Sequence, residues 1–95
     1  MDIKIDDIIT ALKIAVEKAS TDPRISRRMI SRASDMLERL NIRTGDREQI
    51  LPQLNLLVSK SFDSTNMTIN GVGGFQNDLI NFINKLERFK FDNGK

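Results

Sequence analysis

The chain has 95 residues, 39% apolar and 29% charged, with 15 basic against 13 acidic side chains and a formal charge of +2. That is enough for a single domain over residues 1–95 with one modest core, burying roughly two thirds of its unfolded surface, and too little for a second domain. Cysteine and histidine are both absent, which excludes disulfides, thiolate zinc sites and cysteine nucleophiles and removes the usual neutral-pH acid and base; the expectation is a protein that is not an enzyme and uses no metal or cofactor.

The opening Met1-Asp2-Ile3-Lys4-Ile5-Asp6-Asp7 carries acids where a signal peptide carries positive charge, and no apolar run approaches the ~18 residues of a membrane span. A cytoplasmic protein without membrane contact is expected. From about Asp2 to Ala19, Ile5, Ile8, Ile9, Leu12, Ala15, Val16 and Ala19 recur at three- and four-residue spacing and predict an amphipathic helix. Ser20-Thr21-Asp22-Pro23 then stops that helix and starts another, with Asp22 as N-cap and Pro23 in the first helical position, where its missing N–H costs nothing. The second helix runs to about Leu40, ending at Asn41, with Ile25, Met29, Ala33, Met36, Leu37 and Leu40 inward and Ile30 at the margin.

Thr44-Gly45-Asp46 reads as a turn, with Asp46 and Gln49 in capping-box spacing. Pro52 pushes the start of the regular third helix toward Gln49, and its inward stripe is read as Leu51, Leu54, Val58 and Phe62. Asp63 to Gly74 is polar and contains glycine, hence a loop, with Met67-Thr68-Ile69 as a short extended piece or turn. The last helix, about Phe75 to Phe89, places Phe75, Leu79, Phe82, Ile83, Leu86 and Phe89 on one side, and Asp92 to Lys95 reads as a frayed tail. The expected fold is therefore all-α, a compact four-helix domain with helices about 2–19, 23–40, 47–62 and 75–89. Its first two helices form an antiparallel hairpin and its phenylalanine-bearing last helix closes the core.

The clearest sign of a partner is the distribution of arginine. Seven of eight lie between Arg24 and Arg47, where only Asp35, Glu38 and Asp46 oppose them, a local charge of +4 against −2 for the rest of the chain. A helical projection puts Arg24, Arg28, Arg32 and Arg39 on one stripe bordering the apolar face, and Arg43 and Arg47 flank the turn that follows. Guanidinium groups one turn apart suit a row of carboxylates on a protein or the phosphates of a nucleic acid. The plain alternative is a solvated face paired internally to Asp35. These six arginines, Arg24, Arg28, Arg32, Arg39, Arg43 and Arg47, are the candidate partner-binding residues.

Within the same helix, Ile25-Ser26-Arg27-Arg28-Met29-Ile30-Ser31-Arg32-Ala33 resembles the recognition helices of helix-turn-helix repressors, and the resemblance implies that Ser26, Arg27 and Ser31 reach base edges. Asp-Pro in the turn, where that motif carries glycine or another small residue, departs from the pattern. Gly71-Val72-Gly73-Gly74 before a helix is a second candidate, as an anion nest, a hinge or a plain turn; Phe75-Gln76 replaces the Gly-Lys-Ser/Thr of a phosphate loop. Ile14, Leu56, Ile80 and Phe91 fall off the core faces, which leaves room for a homo-oligomer or a docking groove. Isoleucine outnumbers leucine twelve to nine and asparagine occurs eight times, which suits an AT-rich genome such as that of many phages.

The function these features favour is a non-catalytic protein-protein interaction module, a small adaptor, inhibitor or assembly factor of viral or mobile-element type, binding an acidic protein through the arginine-rich face of the second helix. The alternative is a nucleic-acid-binding module using the same helix for recognition or phosphate contact.

Overall fold

The computed structural model describes residues 4–40, 42–62 and 72–93, in four helices: α1 (Ile5–Lys18), α2 (Pro23–Arg39), α3 (Thr44–Ser61) and α4 (Val72–Asn93). No strand occurs among the described residues, and the all-α expectation holds. The Cα radius of gyration is 12.9 Å, close to the ~12 Å that scaling gives for a compact chain of this length.

Local chemistry accounts for the starts. At α1 the Asp7 carboxylate accepts the backbone N–H of Lys4 at 3.1 Å, filling one of the donors a helix leaves free. At α2 the N-cap Asp22 accepts from the Ile25 N–H at 3.4 Å and Pro23 occupies the first position, as the sequence predicts.

Each helix packs on two others, α1 on α2, α2 on α3, α3 on α4 and α4 on α1, with α1 and α2 sharing the most extensive contact. Small buried residues on both helices, Ala11 and Ala15 on α1 and Ser26 and Ala33 on α2, suit such a contact, and Ser26 meets Ala15 directly. Every seam also carries a polar contact. Ser26 Oγ donates to the Ala15 carbonyl at 2.8 Å between α1 and α2, and Ser34 Oγ donates to Asn55 Oδ1 at 2.8 Å between α2 and α3. Lys60 Nζ donates to Asp78 Oδ2 at 3.1 Å between α3 and α4, while Gln76 Nε2 donates to the Val16 carbonyl at 2.9 Å between α4 and α1. Position numbers rise on one helix as they fall on its neighbour, with Arg27 over Phe62 and Ser34 on Asn55 between α2 and α3, and Val16 on Gln76 and Lys13 on Glu87 between α1 and α4, so these neighbours run antiparallel. Between them lies one core, with Ile8, Leu12, Ile30, Leu37, Leu54, Leu79 and Leu86 fully enclosed and Phe75 and Phe82 buried from α4.

Several expectations are corrected. The third helix starts at Thr44, three residues before position 47, with Arg43 as N-cap. Asp46 is therefore a first-turn acid complementing the helix dipole instead of a capping-box residue. The helix runs through Pro52, whose ring is exposed, and the Gln53 side-chain amide donates to the Gln49 carbonyl at 3.0 Å, next to the backbone bond that proline cannot make. The inward face of α3 is Ile50, Leu54, Leu57 and Ser61; Leu51 and Val58 are half-buried and Phe62 is 63% exposed. In α2 the inward face is Ser26, Ile30, Ala33, Ser34 and Leu37, so Ile30 lies at the centre while Ile25, Met29 and Met36 lie at the edge.

The fourth helix begins at Val72, before the predicted Phe75, and takes Gly73 and Gly74 into its first turn. It continues through the residues read as a frayed tail as far as Asn93. Asn41, the remainder of the predicted loop at 63–71 with its Met67-Thr68-Ile69 piece, and the surroundings of Phe91 fall outside the described residues.

Gly73 and Gly74 have no positive φ, and a Cβ added at either meets nothing within 4 Å. Gly74→Ala is therefore expected to raise stability by about 0.5 to 1 kcal/mol, read as a higher urea midpoint at unchanged slope. A lowered midpoint would show that this turn is not helical.

Candidate functional site

The rotational setting of α2 decides what its arginines can do. Ser26 and Ser34 are buried with their hydroxyls hydrogen-bonded to α1 and α3. The inward meridian of α2 therefore runs through Ser26, Ile30, Ala33 and Leu37. At about 100° per residue, Arg24, Arg28, Arg32 and Arg39 lie on the far side of the helix from that line. The sequence places this stripe beside the apolar face; the structure places it nearly opposite the core, because two serines occupy positions that apolar periodicity leaves unfilled.

All four side chains are exposed. Among the described residues none forms an ion pair; the two that occur are Lys13–Glu87 at 3.4 Å and Lys60–Asp78 at 3.1 Å. Asp35, which the spacing offers as an internal partner, is exposed and takes no part in either. The outcome is a ridge of unpaired guanidinium groups along α2, with the exposed Arg43 at the N-cap of α3 beyond its end.

Arg47 stands apart from the other five candidates. It is half-buried in the first turns of α3, and its Nη2 donates to the Leu40 carbonyl at the C-cap of α2. α2 ends without a glycine cap, and a guanidinium there satisfies a terminal carbonyl while complementing the negative end of the helix dipole. Its Nε is buried without a hydrogen-bond partner. Arg47 is thus committed to joining two helices. Arg27 is also occupied, its guanidinium carbon 5.8 Å from the centroid of the Phe62 ring in cation-π geometry.

These placements bear on the helix-turn-helix resemblance. Ser26 is fully buried and bonded to α1, and Arg27 is half-buried against Phe62, so of the three residues that should meet base edges only Ser31, itself half-buried, is not engaged by another part of the fold among the described residues. Gly73 and Gly74 belong to the first turn of α4, where Phe75 enters the core and Gln76 bonds to α1. Ile14, Leu56 and Ile80 are exposed, as the sequence predicts, and Phe62 joins them.

Among the described residues no group of three or more acidic side chains is placed to hold a metal ion, and no helix is long and apolar enough to cross a membrane. Comparison with protein-family profiles, curated protein sequences and solved structures gives no match.

The assignment of Arg47 separates from that of the ridge by measurement. Arg47→Ala should lower stability by about 1 to 2 kcal/mol, read from urea unfolding, whereas Arg28→Ala should leave stability within about 0.5 kcal/mol of wild type.

Proposed function

We propose that this chain is a non-catalytic helical interaction module that binds an acidic protein through the outer face of α2. The observation that carries the reading is the ridge of Arg24, Arg28, Arg32 and Arg39, exposed, unpaired among the described residues and facing away from the core. Planar guanidinium groups hold carboxylates through two parallel hydrogen bonds, and their weak hydration makes them suited to interfaces. An unpaired row of them also speeds and orients encounter with an acidic surface. With its four seams occupied by packed helices and the Arg47 bridge, the domain supplies a rigid backing for this ridge. A small adaptor, inhibitor or assembly factor fits that design.

Binding to nucleic acid is the rival use of the same cations. With Ser26 and Arg27 engaged internally, Ser31 alone of the three is left for base edges, so such binding would rest mainly on phosphate contact, and Asp35 sits within the cationic row. Such binding would be blind to sequence and steeply weakened by salt.

The test is a triple charge reversal, Arg24→Glu, Arg28→Glu and Arg32→Glu, all at exposed positions. The variant should keep its helical circular dichroism and lose affinity for acidic partners recovered from the native host by ~10-fold or more. Retention of every partner would reduce the ridge to a solvated surface. Parallel titration of duplex DNA is expected to give only weak binding that vanishes near physiological salt; tight binding there with a slope indicating several neutralised phosphates would establish the rival.

A further inference from the structure

The same setting of α2 that turns the arginines outward leaves an apolar row beside them. Ile25, Met29 and Met36 are half-buried on the edge of α2 that adjoins the arginine ridge. Ser26 and Ala15 touch across the α1/α2 seam, so Ile25 and Ile14, each one residue earlier on its helix, sit on the outward side of that seam. Ile14 is exposed there. The outer α1/α2 groove therefore has an apolar floor along one side of the cationic ridge.

Resting on the reading of α2 as a protein-binding face, we propose that the occupant of this groove is an acidic amphipathic helix, with its apolar stripe over Ile14, Ile25, Met29 and Met36 and its carboxylates on Arg28, Arg32 and Arg39. Charge complementarity fixes the sign of the partner. Its conformation follows from the groove walls. The backbones of α1 and α2 are paired within their own helices, so an extended peptide laid here would find no main-chain partners and would bury unsatisfied N–H and C=O groups. A helix arrives with those bonds already made.

The spacing agrees. Arg28, Arg32 and Arg39 are separated by four and seven residues, as are Ile25, Met29 and Met36, so both rows run along the axis of α2 in the same register, one and then two turns apart. A partner helix lying along the seam would present acids and apolar residues at the same intervals. Asp35, between Arg32 and Arg39, sets the position where that helix carries a neutral or basic residue. The two methionines, flexible and polarisable, adapt the floor to the side chains above it.

The experiment titrates the folded protein with three fluorescent peptides of about 20 residues. The first is an acidic helix with leucines at three- and four-residue spacing, the second has the same composition with the spacing scrambled, and the third is polyglutamate. The amphipathic peptide should bind ~10-fold or more tightly than the other two. Met29→Ala with Met36→Ala should reduce its affinity ~10-fold while leaving that of polyglutamate unchanged. Equal binding of the amphipathic and scrambled peptides would overturn the groove and leave the acidic-partner reading standing. Failure of all three peptides, with a 20-base-pair duplex bound instead, would overturn both.

Discussion

The hydroxyl of Ser26, buried against the carbonyl of Ala15, is the contact on which the arrangement of the charged surface depends. A helix can be rotated about its axis at little cost if only its apolar content is considered, and α2 has apolar residues on more than one side. A buried hydroxyl and a helix-terminal carbonyl remove that freedom. Each would cost about 1 to 3 kcal/mol if left unpaired, and they pair in one rotational setting. In that setting Ile30 is enclosed and the four ridge arginines point at water; rotated toward Ile25, Met29 and Met36, the same helix would bring Arg32 toward α1 and strand its charge.

The C-terminal end of α1 is where several parts of the fold meet. A helix leaves its last four carbonyls without internal donors, and here Ser26 from α2 supplies Ala15, Gln76 from α4 supplies Val16, and the N–H groups of Thr21 and Asp22 supply Lys18. The tight turn, the start of α2 and the start of α4 are thus all held by one helix end. Arg47 plays the corresponding part at the end of α2 through the Leu40 carbonyl. Polar groups satisfied at helix ends fix which helices are neighbours, and the leucines and isoleucines between them supply most of the burial.

Much of the fold was legible because its signals are local. Asp22-Pro23 marks a helix start whatever surrounds it, and the period of Ile8, Leu12, Ala15 and Ala19 identifies the inner face of α1. α4 was equally plain from Phe75, Leu79, Phe82 and Leu86. The misread faces belong to α2 and α3, and both have serine on the inward line: Ser26 and Ser34 in one, Ser61 in the other. Serine scores as polar in any periodicity, yet its small side chain fits a close seam and its hydroxyl can be satisfied by a backbone carbonyl, as Ser61 is by Val58 at 2.6 Å. With serine scored as polar, the apolar period of α2 points toward Met29 and Met36 and that of α3 toward Phe62. Arg47 falls among the six candidates for a related reason, since sequence shows its charge but not the helix-end carbonyl that engages it.

The ridge and the groove beside it are consequences of that one rotational setting, so the setting is what most needs measurement. The chain contains no cysteine, which allows single cysteines to be introduced along α2 and their rates of reaction with a thiol reagent compared in the folded protein. Protection is expected at positions 26, 30, 33 and 37 and fast reaction at positions 24, 28, 32 and 39. Protection centred on positions 25, 29 and 36, with reaction at 26 and 30, would contradict that setting and return the arginines to the border of the core.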